Sequence, residues 1–228
     1  MSRLCVLFFV TLCTGCANLI SKEAAFPEMY GDLKPRTLVV VPAINNTTAA
    51  DASDYLNVTI TQPIADAGYY VLPLPIVSAV FQREGVVDGA QIEGFPPQLF
   101  KSNFGADAVL FITINNWDRN YYVIGGNVTV GLDYVLSSTE SGEVLWSYSG
   151  QVVMDTSGSS SSGNLLADLI ANTIVTAINT AATRYVNVAS MVHGQVLTTL
   201  PMGNYHPKSG TDGSQKVVDP KKTKSVSE

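Results

Sequence analysis

Cysteine is nearly absent from this chain. Its three cysteines stand at positions 5, 13 and 16, and none of the residues after Cys16 is a cysteine. A disulfide framework is therefore excluded for the body of the chain, whose core must form by burial alone. Charge is also scarce: 14% of residues are charged against 46% hydrophobic, the balance of a globular chain and not of a disordered one. Clusters of Lys and Arg are missing from the body. From Cys16 to Met202 there are seven basic and sixteen acidic residues, a balance of −9. Such a body lacks the electrostatic footprint of a nucleic-acid binder, and it is not a polybasic membrane-surface module. Beyond Met202, five lysines against three acids leave the tail at +2. Long apolar runs are missing too. The longest, Leu4 to Leu12, falls short of the roughly 20 residues that cross a bilayer. Histidine occurs twice, as His193 and His206.

The short apolar run fits a secretory signal, with Arg3 as its positive end. Thr14 and Gly15 then precede Cys16 in "LCTGCANLI". This stretch resembles a bacterial lipobox, in which the cysteine after a small residue is acylated and becomes the mature N-terminus. It departs from that pattern at Cys13, which stands where leucine is usual, with Leu12 one residue further back. A Cys13/Cys16 redox or zinc pair is the competing reading, but zinc needs further ligands, and the two histidines are remote. An uncleaved N-terminal anchor is the third. Ala17 carries no inner-membrane retention signal, so the expected address is the periplasmic face of the outer membrane, with Cys16 lipidated. The expected organisation is a signal peptide over 1–15, a lipidated N-terminus and tether over 16–35, an α/β periplasmic domain over 36–202, and a disordered lysine-containing tail over 203–228.

Within the domain, Thr37 to Val41 is an unbroken β-branched run, the pattern of a strand covered on both faces. Asp51 to Ala67 reads as a helix divided or kinked by Pro63 and stopped at Gly68. "YYVLPLP" reads as the second strand of a βαβ unit. Short helices are expected over Ile76 to Arg83 and before Gly105. "ADAVLFITINNW" reads as a central strand. Residues 127–136 and 143–153 then alternate apolar and polar, and "SSTESGE" between them supplies a turn. Val128, Val130, Leu132, Tyr134 and Leu136 should face one way, as should Val144, Trp146, Tyr148 and Val152. A Gly/Ser linker leads to a long helix from Asn164 to about Ala189, with Leu166, Ile170, Ile174, Ile178 and Tyr185 as its apolar stripe. The fold class expected is one α/β domain: a mixed sheet of about five strands with an antiparallel hairpin, packed on helices that include this long C-terminal one.

The residues that carry chemistry elsewhere are poorly arranged here. No thiol survives lipidation of Cys16, no Gly-x-Ser-x-Gly elbow is present, and the serines gather in the linker. Asp51/Asp54 and Glu140/Glu143 sit at a helix start and a turn, where acids serve capping and dipole roles. No Gly-x-Gly-x-x-Gly or Walker pattern leads into a helix. The Asp-Thr-Ser-Gly at 155–158 is one copy of a triplet that aspartic proteases need twice. No catalytic residue, metal site or cofactor is expected beyond the covalent lipid, palmitate included, on Cys16. The best surface signal is "NNWDRNYYVI". Trp117, Arg119, Tyr121 and Tyr122 are of the types that dominate interface hot spots, although aromatic packing at a strand edge explains them as well. The polar side of the long helix, with Asn172 and Thr176, carries almost no charge, as a face packed on a partner subunit would.

Taken in order, the lipobox, "VVPAINNTT", "DAGYYVLP", "FGADAVLFITI", "SGEVLWS" and "GNLLADLIANTI" resemble an outer-membrane lipoprotein family first described as a genome-derived neisserial antigen. The resemblance runs from about residue 16 to 207. It implies a fold similar to the N-terminal domain of the Tol translocation protein TolB and to curli-secretion lipoproteins. It also implies no enzymatic activity, and a place, as a dimer, beside other envelope lipoproteins or transport components in a trans-envelope transport or assembly system. The alternative classes are a periplasmic small-ligand or peptidoglycan-associated binding module, with an apolar pocket near Trp117 to Tyr122, and a hydrolase using His193 as its base.

Overall fold

The computed structural model describes residues 19–31, 34–121, 126–155, 173–177 and 185–223. In chain order its elements are β1 (Leu19–Ser21), α1 (Lys22–Ala25), β2 (Thr37–Val40), β3 (Ile44–Asn45), α2 (Ala52–Thr59), α3 (Thr61–Asp66), β4 (Tyr70–Val71), α4 (Leu74–Arg83), α5 (Gln98–Phe104), β5 (Ala108–Tyr121), β6 (Gly126–Ser138), β7 (Val144–Asp155), β8 (Thr173–Ala177), α6 (Tyr185–Val196), β9 (Lys216–Val218) and α7 (Pro220–Thr223).

The β-branched run of β2 is buried because it lies inside a parallel trio: β4 on one side, β5 on the other. The helix before β4 is divided as Pro63 demands. Pro63 has no N–H to give the carbonyl of Thr59, and α2 ends at Thr59. From β5 the sheet continues antiparallel through β6 and β7, then parallel into β8, in the order β4-β2-β5-β6-β7-β8, with β3 pairing alongside β5. Seven strands replace the five or so expected. Besides the short β3, the addition is β8 at the end of this path, which the helical spacing of Ile170, Ile174 and Ile178 had concealed. Residues 173–177 are strand, and the helix that follows begins at Tyr185 and runs past Ala189 to Val196.

Two cores flank the sheet. Leu56, Ile60 and Ile64 of the divided helix, with Val188, Val192 and Val196 of α6, cover one face of β2, β5, β6 and β7. On the other face, Phe81, Phe100 and Ile92 pack on Val39, Val41 and Val109, beside Phe104 and Phe111. Among the described residues this second layer covers the parallel end; Ser149 and Gln151 of β7 are exposed, as polar alternation requires. Asp107 ties the parallel strands at their start. Its Oδ2 accepts from the backbone N–H groups of Arg36 and Thr37 at 3.1 and 3.0 Å, and its Oδ1 accepts from Lys101 at 3.2 Å. Partial burial pushes its carboxyl pKa up, but these donors outweigh burial and hold it below the usual value.

The tail differs most from expectation. Residues 203–223 are built into the fold. Gly203 N–H donates to Ala67 O at 2.7 Å and Tyr205 N–H to Gly68 O at 3.0 Å. β9 then pairs antiparallel with β1, so part of the expected tether is a strand too. Both segments bury their polar backbone in each other, a long-range pairing that no local pattern announces. Gly68 is where the tail leans on the domain. Its φ is +90°, and a Cβ there would fall onto the backbone of His206. Gly68→Ala is expected to cost about 2 kcal/mol or more, read as a lower urea midpoint. A loss of a few tenths would show that the tail yields.

Candidate functional site

The expected surface patch begins on β5. Beyond Asn116 this strand pairs with β6 but, among the described residues, with no strand on its other side, since β3 ends its pairing at Ile114. The register shifts between Ile114 and Asn116. Such a bulge reverses which residues face the helices. Ile112 and Ile114 are buried before it, and Trp117, of opposite parity, is buried after it. Trp117 is therefore not the exposed anchor expected: its side chain is 8% exposed. Its ring lies 6.4 Å from Tyr55 of α2 and 6.4 Å from Tyr185 of α6, which are themselves 5.7 Å apart. This aromatic cluster fixes the base of the extended hairpin to two helices.

Arg119 and Tyr121 lie further along β5, opposite Val128 and Gly126 of β6. Thr176 lies on β8, opposite Met154, and not on a helix. Tyr122 and Asn172, like Cys16, fall outside the described residues. The sheet thus has two open edges at this end among the described residues: β5 after Asn116, and the outer side of β8. An open edge offers unpaired N–H and C=O groups to another chain.

His193 does not serve as a surface base. It is fully buried on α6, with Nδ1 2.9 Å from the Tyr134 hydroxyl and Nε2 3.0 Å from the Leu56 carbonyl. A carbonyl only accepts, so Nε2 carries the proton and Nδ1 accepts from Tyr134. Burial lowers the imidazole pKa to about 4, against a smaller upward pull from the Leu56 carbonyl. The same burial raises the Tyr134 phenol well above its usual range. With both ring nitrogens bonded inside the core, this histidine cannot carry the hydrolase reading. Among the described residues, no three His, Cys, Asp or Glu side chains gather as a metal site would need. No described helix is long and apolar enough to cross a membrane.

A second feature was not foreseen. Lys22 at the start of α1 meets Asp212 of the tail at 3.2 Å, and their side chains are 4% and 0% exposed. Lys22 also donates to Leu200 O at 3.3 Å, and Met202 N–H donates to Asp212 Oδ2 at 3.0 Å. Burial lowers the Lys22 pKa, and Asp212 partly restores it. Beside this clasp a groove of about 330 Å³ opens between Ala24–Glu28, Val144–Ser147 and Pro220–Lys221, with Phe26, Leu145 and Trp146 in its wall. The groove is not at Trp117 to Tyr122, where the binding-module reading placed its pocket. Val144, expected to face inward, is 52% exposed at its rim, because the register shift at Leu136/Ser137 gives the inner position to Leu145.

A mixed sheet with an extended antiparallel hairpin, helices on both faces of its parallel end and the paired segments β1 and β9 define a mixed α/β domain. Residues 28–204 match the family described as "Putative lipoprotein GNA1162-like", and the chain belongs to that family. A relative in Neisseria meningitidis serogroup B, "Putative lipoprotein NMB1124/NMB1162", is 29% identical over 151 residues, 65% of this chain and 70% of the relative. The crystal structure of lipoprotein GNA1162 from N. meningitidis is similar with a TM-score of 0.51 and 29% identity, covering 60% of this chain and 93% of that one. The PelC dodecamer of Paraburkholderia phytofirmans is similar at a TM-score of 0.46 and 18% identity, covering 80% and 94%. Membership of the family implies a lipid-anchored place in the cell envelope.

Proposed function

We propose that this protein is a non-enzymatic outer-membrane lipoprotein, anchored through Cys16 on the periplasmic face. It acts as an accessory or structural component of a trans-envelope transport or assembly system, through protein–protein contacts. The observation that supports this reading most directly is the edge of β5 from Asn116 to Tyr121, which among the described residues pairs with β6 on one side only. A strand edge of this length can take a strand from another envelope lipoprotein, from a transport component, or from a second copy in a homodimer. Arg119 and Tyr121 supply interface-prone residue types along it, with Tyr122 next in sequence, and the edge strand β8 with Thr176, preceded in sequence by Asn172, offers a second line of contact. Photo-cross-linkers placed at Arg119, Tyr121 and Thr176 in intact cells are expected to join the protein to itself or to another envelope protein. Recovery of unlinked monomer under several chemistries would sink the proposal. Mass spectrometry of the same preparation tests whether Cys16 carries the lipid.

A second reading, a small-ligand or peptidoglycan-associated module, is favoured by the groove at Trp146, whose volume falls at the low end for ligand sites. It predicts a ligand-induced rise in Tm. A screen of muropeptides and small apolar ligands without any shift counts against it.

A further inference from the structure

The groove beside the clasp touches four consecutive residues of β7, Val144 to Ser147. Side chains of a strand alternate between its two faces, so a cleft that reaches all four follows the strand's edge. Among the described residues that edge has no ladder partner: β6 pairs with the opposite side of β7, and β8 joins only from Gln151 onward. Across the cleft stand the end of α1 and the turn after it, Ala24 to Glu28, with Pro220 and Lys221 at the start of α7. This far wall is held in place. The Phe26 ring lies 6.5 Å from that of Trp146. Lys22 N–H donates to Gln215 O at 2.8 Å, and Glu23 N–H donates to Gly213 O at 3.1 Å. The lining is mostly apolar and carries one charge of each sign, Glu28 and Lys221, both exposed. Trp146 is fully buried in the wall, and its indole N–H is closed to water with no acceptor among the described residues. A buried donor left unmet costs about 1–3 kcal/mol. An occupant that carries acceptors can recover this loss; a purely apolar one cannot.

We infer that this cleft is a slot for an uncharged, extended peptide segment, which adds to β7 as a strand along Val144 to Ser147. The inference deepens the binding-module reading of the groove and rests on it. Each part of such a ligand answers a feature of the slot. Its backbone N–H and C=O groups meet those of the β7 edge, the source of affinity in strand addition. Its apolar side chains meet the wall of Phe26, Leu145 and Pro220. The balanced pair of Glu28 and Lys221 favours a segment without net charge. Four residues of edge span about 10 Å, at roughly 3.3 Å per step, so the bound segment is about three or four residues long. Because the far wall is fixed before binding, the ordering cost falls on the peptide alone.

The probe is a blocked, soluble peptide, Ac-Thr-Val-Thr-Val-Thr-amide, titrated into the nitrogen-15-labelled full-length protein. The chain has two tryptophans, so two indole N–H signals report. Trp146 stands in the groove wall and pairs with Leu136. Trp117 pairs with Val130, about 20 Å back along β6 at roughly 3.3 Å per residue, and serves as the reference. The expected result is a saturable shift of the Trp146 signal with a midpoint of about 1 mM or tighter, and none at Trp117. The decisive comparison uses the same peptide N-methylated at alternate residues. Only one edge of an added strand enters the ladder, so methylation of one alternate set should weaken binding about tenfold or more, and of the other set less than about twofold. Equal losses for the two sets, or no loss, would overturn the inference. So would a shift at Trp117 in place of Trp146, or a Trp146 signal that moves with protein concentration alone, which assigns the slot to a second copy. A Trp146 signal moved by muropeptides or small apolar molecules but not by the peptide overturns strand addition and leaves the binding-module reading standing. If none of these ligands moves it, that reading fails and the inference with it.

Discussion

Asp212→Ala is expected to destabilise the protein by about 3–5 kcal/mol, among the largest effects of any single polar substitution here. The carboxylate is fully buried and receives the Lys22 ammonium at 3.2 Å and the Met202 N–H at 3.0 Å. Without it, the ammonium is left in a dry site with the Leu200 carbonyl as its remaining partner at 3.3 Å. Burial already lowers the Lys22 pKa against the pull of Asp212, so removing Asp212 removes what keeps the lysine charged. The pair costs desolvation at both ends, and a Lys22→Met/Asp212→Leu double variant should therefore lie within about 2 kcal/mol of the parent, far from the sum of two single losses. Urea midpoints of the four proteins measure the coupling. Limited proteolysis shows where the loss falls: the segments 19–31 and 203–223 should become cleavable before the central sheet does. A single-variant loss below about 1 kcal/mol would mean that water reaches the pair in solution.

The central strands were legible because each carries its own pattern. Thr37 to Val40 is β-branched throughout apart from Leu38, Pro63 and Gly68 punctuate the helix before β4, and the even-numbered apolar residues of β6 are all buried, as alternation requires. What escaped notice lies in phase changes and long-range pairing. Ile112 and Ile114 are even and Trp117 is odd, and two asparagines stand between them. That parity switch is the mark of the bulge, and it decides whether Trp117 meets solvent or helices. The same reading would have turned Val144 outward and Leu145 inward. β8 was hidden because Ile170, Ile174 and Ile178 fall four apart, while Thr173 to Thr176 is the β-branched run that prevails in the sheet. The terminal clasp had no local signal at all. Lys22 and Asp212 are 190 residues apart, and each looks like an ordinary surface charge until β1 and β9 pair.

Between pH 6.5 and 4 the protein is expected to lose about 3 kcal/mol of stability through His193 alone. In the folded chain its pKa is lowered from 6.5 to about 4, chiefly by burial. In the unfolded chain it returns to its ordinary value. Across that window the unfolded state binds the proton and the native state does not, so stability rises with pH. The contribution is complete above pH 6.5, declines as pH falls toward about 4, and is level below that. The magnitude comes from the displacement at about 1.4 kcal/mol per pH unit. Asp107 adds little above pH 4, since its carboxyl pKa is held below the usual 3.8 and most of its own acid loss falls below that value. Protonation of His193 would put a hydrogen on Nδ1, where the Tyr134 hydroxyl now donates at 2.9 Å, and a charge in a core whose bonds to the ring come from a phenol and a backbone carbonyl. His193→Gln keeps a polar side chain between Tyr134 and Leu56 but cannot titrate. It should begin less stable at pH 7 by about 1–3 kcal/mol and then stay nearly flat to pH 4. Urea midpoints at pH 7, 5.5 and 4 for the two proteins decide the matter. Parallel pH profiles would place His193 within reach of water, and the core assignment of α6 would have to be redrawn.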